Sequence, residues 1–213
     1  LELGGLTVLI GENGAGKSSL IEACELIRRL ANEEFLAEFY NPHGGTFALF
    51  RDGAPRLRIA TRMSASLNGN QTPLEYSVSL ARDGAGAVIE DEHLWIHYSD
   101  RSEPFKVIER DRRTARFWNG SSLVPLELVP STRLVLAAIG QASSRHPAID
   151  LVRSALRAID VHLPFEVLPL WAARAYSRKS EVRGSILLQP AERLDLLGTN
   201  LANVYFALRE QSD

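Results

Sequence analysis

The rhythm of apolar and polar positions changes twice along the chain. Residues Leu6–Ile10 form a short apolar run with β-branched members and predict a buried strand. The run stops at Gly11, and a glycine-rich stretch continues to Gly16. From Lys17 to about Ala31 the apolar residues are Leu20, Ile21, Cys24, Ile27 and Leu30, the spacing of one helix face. Strand, glycine loop and helix in succession predict the start of a βαβ unit.

Between about Phe47 and Leu128 the runs shorten. Phe47–Phe50, Leu57–Ala60, Tyr76–Leu80, Leu94–Tyr98, Phe105–Ile108 and Leu123–Leu126 alternate with the turn pairs Asp52-Gly53, Asn68-Gly69, Asp83-Gly84 and Asn119-Gly120. This predicts an antiparallel, hairpin-rich lobe, because a parallel sheet needs crossover helices and no segment here fits one. From Ser131 onward the pattern turns helical. Ser131 is the expected N-cap of a helix over 132–142. A second helix is expected from Pro147 to about Asp160, with Pro147 in its first turn and Ile149, Val152, Leu156 and Ile159 on one face. A strand is expected at Ser185–Leu188, and a last helix over about 199–210 with Leu201, Val204, Tyr205 and Leu208 as its stripe. There is no internal repeat.

The glycine stretch carries the chemistry. Gly11, Glu12, Asn13, Gly14, Ala15, Gly16, Lys17 and Ser18 fit G-x-x-x-x-G-K-[ST], the phosphate-binding P-loop. Backbone N–H groups must wrap a phosphate closely, and side chains at Gly11, Gly14 and Gly16 would obstruct the wrap or forbid its dihedrals. The helix starts where the loop ends, so its unbonded N–H groups and positive dipole end face the anion. Lys17 is the expected point charge for the β- and γ-phosphates, and the Ser18 hydroxyl the expected Mg²⁺ ligand, with Ser19 completing the loop. At average residue frequencies a chance match in a chain of this length is about a 1% event.

Composition narrows the class. The chain has 213 residues, 45% hydrophobic and 23% charged; the apolar content excludes disorder, the lack of any period excludes collagen and coiled coil, and the length suits one large domain or a domain with an inserted lobe. No uncharged apolar run approaches the roughly 20 residues a membrane helix needs. One cysteine, Cys24, excludes a disulfide scaffold and fits a reducing, cytoplasmic setting. The net charge of -2 gives no whole-chain footprint for nucleic acid. Basic residues are 21 Arg and 3 Lys (Lys17, Lys106 and Lys179).

A phosphoryl-transfer site also needs a carboxylate at the end of an apolar strand. Val88-Ile89-Glu90-Asp91-Glu92 has a short apolar lead and is read as a solvated turn; Leu156-Arg157-Ala158-Ile159-Asp160 is read as a helix end. Arg110, Arg112, Arg113 and Arg116 cluster near an expected hairpin tip, with Glu109 and Asp111 interleaved. They suit contact with nucleic-acid phosphate or an acidic partner, or a charged surface that blocks edge aggregation. The His residues 43, 93, 97, 146 and 162 lack metal-ligand spacing. Trp118 and Trp171 are expected to pack in the core or lobe, and Cys24 to sit on the buried face of the first helix.

The stretch Leu6-Thr-Val-Leu-Ile-Gly-Glu-Asn-Gly-Ala-Gly-Lys-Ser-Ser-Leu-Ile resembles the P-loop of ABC-type ATPase heads, specifically the predicted ATPases of the SMC/RecF/OLD-like (AAA) group. Leu197-Gly-Thr-Asn-Leu-Ala-Asn-Val is similar to a helix start in the same group, and the order of lobes agrees with it. The resemblance implies an α/β P-loop NTPase fold with an antiparallel β-hairpin lobe and a helical lobe. It divides the chain into residues 1–45 (P-loop strand, loop and helix), 46–130 (β lobe) and 131–213 (helical lobe and return to the core). It also implies binding of ATP and Mg²⁺, with Lys17 catalytic and Ser18 on the metal. The complete protein would be an ATPase, pairing head to head as a homodimer and acting as an ATP-driven switch in DNA repair, DNA maintenance or phage defence, with DNA or an effector protein as partner. The family's Walker B, signature motif and switch histidine would follow Asp213, so this segment is expected to be an N-terminal portion, inactive alone. A Q-loop glutamine is expected near the junction of the lobes, where Gln141 is nearest. Three other readings stay open: a small-molecule or nucleotide kinase, a transporter's nucleotide-binding subunit, and a nucleotide sensor that does not hydrolyse.

Overall fold

Asn-Gly and Asp-Gly pairs set the frame of the central sheet. The computed structural model describes residues 10, 12, 15–40, 50, 54–84, 86–127, 129–139, 146–161, 189, 191, 193–195 and 199–210. Asn68 and Gly69 both take positive φ (52° and 82°) between β1 (Arg56–Leu67) and β2 (Asn70–Asp83). Two consecutive positive φ values make the primed turn whose twist matches a hairpin. Gly84 (φ 58°) turns β2 into β3 (Gly86–Ile96). β4 (Phe105–Arg110) and β5 (Ala115–Trp118) follow, and Gly120 (φ 106°) lies in the turn to β6 (Leu123–Pro125). The strands pair in chain order, each antiparallel to the next, in a six-stranded meander.

The expected antiparallel lobe is therefore present, with strands longer than the apolar runs suggested. β1 reaches twelve residues because strict alternation holds throughout. Leu57, Ile59, Thr61, Met63, Ala65 and Leu67 face inward, while Arg56, Arg58, Ala60, Arg62, Ser64 and Ser66 are exposed. In β3 a bulge resets the alternation. Leu80 lies opposite Ile89 but Ser79 lies opposite Asp91, which leaves Glu90 as the extra residue. As a result Ala87 and Ile89 on one side of the bulge, and Glu92, Leu94 and Ile96 on the other, are all buried. A second register shift, between β3 and β4, accompanies burial of the adjacent pair Val107 and Ile108.

Helices contribute to the same hydrophobic core. α1 (Lys17–Arg29) and α2 (Phe35–Tyr40) bring Leu30, Ala31, Phe35 and Leu36 into it. α3 (Val135–Ala138) lies near β4, and α4 (Pro147–Arg157) lies beside α1, β1 and β2. α4 begins as expected, with Pro147 in the first turn and Ile149, Val152 and Leu156 buried. Its N-cap is His146, whose Nδ1 accepts from the Ala148 N–H at 3.2 Å.

Two helix expectations are corrected. Ser131 does not cap a helix over 132–142. Its carbonyl accepts from the Ile89 N–H at 2.8 Å, residues 131–133 form turns and bends, and the helix within 131–139 is the four-residue α3. The last helix is present as expected, as α5 (Leu201–Glu210), but its apolar stripe is not a buried face. Leu201, Tyr205 and Leu208 are 41%, 67% and 58% exposed, and the residue that α5 buries is Asn203.

Contacts divide the chain into two compact units, residues 1–159 and 160–213, and α5 belongs to the second. The strand expected at Leu6–Ile10 lies outside the described residues except for Ile10; Phe47–Leu49, Asp52-Gly53, Gln141, Trp171 and Ser185–Leu188 lie outside them altogether. The described fold is mixed α/β with an antiparallel six-stranded sheet. Among the described residues no helix is long and apolar enough to cross a membrane.

Candidate phosphate-binding site

The candidate site is built at the start of α1. Gly16 takes the N-cap position in the left-handed region, at φ 85° and ψ 11°. Only glycine holds that conformation at little cost. The first intrahelical bond runs from the Leu20 N–H to the Gly16 carbonyl at 3.1 Å. The N–H groups of Lys17, Ser18 and Ser19 thus belong to the first turn, which by geometry leaves them without intrahelical acceptors. No acidic side chain occupies that turn, while Arg28 and Arg29 stand in the last one. Both arrangements suit a dipole whose positive end meets an anion.

The Glu12 carbonyl gathers two donors. The oxygen of Glu12 accepts from the Ala15 N–H at 3.2 Å and from Lys17 Nζ at 2.7 Å. The lysine side chain therefore reaches back across the loop rather than outward. Glu12, Ala15, Gly16 and Ser19 are exposed, so an approaching phosphate meets no covering element among the described residues. Gly11, Asn13 and Gly14 lie outside the described residues, as does the Ser18 side chain.

The far end of α1 is anchored. Glu25 pairs with Arg28 at 2.6 Å and with Arg29 at 3.1 Å. The hydrogen bonds from Arg28 hold the Glu25 carboxyl below the ordinary carboxylate range. Arg29 also donates to the Glu38 carbonyl, and Asn32 to the Glu38 carboxylate at 2.6 Å. Burial follows this gradient: Leu30 is fully buried, Ile27 packs against the core, and Ile21 near the loop is 39% exposed. Cys24, expected on a buried face, is only half-buried.

The Val88–Glu92 segment proves to be neither a solvated turn nor a strand end. It lies within β3, and Glu92 is completely buried. Its carboxylate accepts from the Tyr76 hydroxyl (2.9 Å) and from the backbone N–H groups of Val135 (2.5 Å) and Leu136 (2.8 Å). Glu92 thus supplies, from across the core, the N-terminal acceptors that α3 lacks locally. Burial raises its pKa, against the pull of those hydrogen bonds. Burial and the neighbouring Glu92 charge raise that of Tyr76 well above 10. Arg110, opposite Glu92 in the β3–β4 register, donates to the carbonyls of Arg133 and Pro130. The segment 130–136 is therefore pinned to the sheet by one buried acid and one buried base. Asp160, the other acidic candidate, follows α4 and sits 3.7 Å from Arg193.

The remaining candidates separate. Arg110 is buried and leaves the surface cluster, whereas Arg112, Arg113 and Arg116 are exposed. His93 stacks on Trp95 with 5.2 Å between ring centroids, and burial lowers its pKa. His97 contacts Glu75 at 3.3 Å. Among the described residues no group of three or more His, Cys, Asp or Glu could hold a metal ion. Trp118 meets Phe105 edge-on at 4.8 Å, a lobe contact as expected.

The second motif is a polar knot. Thr199 donates its N–H (2.7 Å) and its hydroxyl to the Asp195 carboxylate. Asn200 accepts from the Asp195 N–H at 2.8 Å and donates to the Arg193 carbonyl at 2.9 Å. Asn203 accepts from the Gln189 N–H at 3.2 Å. These side chains tie residues 189, 193 and 195 to the entry of α5.

Comparison with curated proteins and with solved structures gives no match. Residues 6–120 match the family described as "AAA domain, putative AbiEii toxin, Type IV TA system". The match begins at the strand expected before the loop and ends just past β5, so it spans both the glycine loop and most of the meander. Since it covers more than half of the 213 residues, the chain belongs to this family of AAA-type, nucleotide-binding ATPase domains.

Proposed function

We propose that this chain is the ATP-binding part of an ABC-type head of the SMC/RecF/OLD-like group, an ATP-driven conformational switch in DNA maintenance or defence. The observation that carries the reading is the start of α1: Gly16 at φ 85° opening a helix with no acid in its first turn, and Lys17 held within the loop by the Glu12 carbonyl. The antiparallel meander that follows supports a head over a kinase, whose core would need parallel strands joined by crossover helices. The family description names a toxin of a type IV toxin–antitoxin system, which favours defence.

In this reading residues 1–45 form the phosphate grip, 46–130 the sheet lobe and 131–213 the helical return. The backbone of residues 12–18 and the Lys17 ammonium hold the phosphates, and the Ser18 hydroxyl with the phosphates themselves holds Mg²⁺. ATP supplies the phosphoryl group whose loss resets the switch. Lys17 neutralises charge at the phosphates, and rotation of its side chain away from Glu12 readies it for that contact. The setting is cytoplasmic, and the partners are a second head together with DNA or an effector protein. Calorimetric titration with Mg-ATP tests the site. The Lys17→Ala variant should bind at least about tenfold more weakly, from the loss of one charge-assisted hydrogen bond of about 1.5–3 kcal/mol. Equal affinity would remove the P-loop assignment.

A further inference from the structure

The arginines at the β4–β5 turn are a second feature that the nucleotide site does not use. The interleaved acids obscured them in sequence, and the structure accounts for both acids. The Asp111 carboxylate accepts from the Arg113 N–H (2.7 Å), the Thr114 N–H (2.8 Å) and the Thr114 hydroxyl (3.0 Å). Those bonds hold its pKa low and brace the turn from within. Glu109 is neutralised by Lys106 at 2.5 Å. Arg110, at the end of β4, is buried.

Arg112, Arg113 and Arg116 remain exposed, and among the described residues none of the three forms an ion pair within 4 Å, although Arg116 lies opposite Glu109 in the β4–β5 register and its charge acts on Asp111. The contrast is with the exposed arginines of β1: Arg56 is paired with Glu90 at 2.6 Å, and Arg62 with Glu75 at 2.8 Å. Arg113 and Arg116 also line an open depression of about 450 Å³ with Thr114, Ala115, Pro125, Leu126 and the acid Glu127. Among the described residues of this region no large apolar side chain is exposed. Phosphate contact needs no apolar anchor and is made by exposed guanidinium groups.

We propose that the braced β4–β5 turn is a contact point for the phosphate backbone of DNA, made by Arg112, Arg113 and Arg116 without reading sequence. The inference deepens the proposed role in DNA maintenance or defence and rests on that reading for its choice of partner. Its geometry is independent of the nucleotide loop.

The test uses the 213-residue chain and fluorescence anisotropy of a labelled DNA duplex over a salt series, with and without Mg-ATP. Three phosphate contacts correspond to a salt slope of about 2.7, so the variant Arg112→Ala/Arg113→Ala/Arg116→Ala should lose about that much slope and bind at least about tenfold more weakly at low salt. The variant Arg56→Ala/Arg58→Ala/Arg62→Ala removes equal charge from β1 and should retain binding. No binding by the unaltered chain, equal losses in both triple variants, or displacement of the duplex by poly-glutamate at equal charge would each overturn the proposal. Poly-glutamate displacement would point instead to an acidic protein partner. Lys17→Ala separates the two readings: loss of Mg-ATP binding with DNA binding intact leaves both standing, and failure of either measurement in the unaltered chain counts against its own reading alone.

Discussion

Glu92→Ala removes one buried carboxylate and strands three donors. The Tyr76 hydroxyl and the N–H groups of Val135 and Leu136 all lose their acceptor, and Arg110 loses the acid opposite it. Each unsatisfied buried donor costs about 1–3 kcal/mol, and water entering the vacated volume recovers part of the sum. A cost of about 3–5 kcal/mol follows, the range for breaking a buried charged network by removing one partner. With a urea dependence of about 2 kcal/mol per molar, the unfolding midpoint should fall by about 2 M. Glu92→Gln keeps the volume and one acceptor oxygen, and should cost about 1–2 kcal/mol. The two variants also differ in pH dependence. The folded-state pKa of Glu92 is raised by burial, so its contribution is full below the ordinary carboxylate value and declines as pH rises through the raised value. Glutamine does not titrate, so the stability gap between the unaltered protein and the Glu92→Gln variant should shrink as pH rises across that window. The measurement is urea unfolding by circular dichroism from about pH 4 to about pH 8, beginning below the ordinary glutamate value. A midpoint change below about 0.5 M in Glu92→Ala, or a gap that widens with pH, would refute the reasoning. Glu92→Gln should leave Mg-ATP affinity unchanged, as a structural acid requires and a metal ligand would not.

Three further outcomes are expected. Gly16→Ala meets no heavy atom within 4 Å, so its cost is the dihedral alone, about 1 kcal/mol, and it should also weaken Mg-ATP binding; a thermal-shift assay with and without nucleotide separates the effects, and unchanged melting would count against the left-handed N-cap. Asn203→Leu leaves the Gln189 N–H without its acceptor and should speed hydrogen exchange in the second unit while residues 56–96 keep their protection; equal loss in both regions would contradict a local role. Asp111→Ala should loosen the β4–β5 turn, and because the Asp111 pKa is depressed, the unaltered turn should open only as pH falls below the ordinary aspartate range. Proton NMR of the Thr114 amide follows that opening, and an Asp111→Ala spectrum unchanged at Thr114 would show the brace to be absent.

Features decided by neighbours in the chain were legible. Asn68-Gly69 and Asp83-Gly84 marked real hairpin turns, and Pro147 with Ile149, Val152 and Leu156 marked α4, because turn dihedrals and helix faces depend on a few adjacent residues. Glu92 is not legible in the sequence because its partners lie 16, 43 and 44 positions away, and because the bulge at Glu90 breaks the alternation that would show it facing inward. Ser131 looked like a cap for the same reason: the groups that actually satisfy α3 come from the sheet. Arg110 was grouped with surface arginines by adjacency, although its position opposite Glu92 turns it into the core. In the nucleotide loop, the residue types announced the chemistry, while the inward reach of Lys17 to Glu12 is a matter of side-chain geometry that spacing does not encode.

The meander has a consequence for how the chain reaches this state. Every strand finds its partner next to it in sequence, and the β1–β2 and β2–β3 turns each close within a few residues. Local closure is fast, so the sheet is the segment that forms early. The bonds from Glu92 and Arg110 to residues 130–136 span 20 residues or more and close only after the strands that carry them have paired. During synthesis the hairpins leave the ribosome before that segment does, and they present a finished platform on which residues 130–157 settle. Assembly is thus ordered by topology: first a self-templating ribbon, then the polar lock that fastens the helices to it.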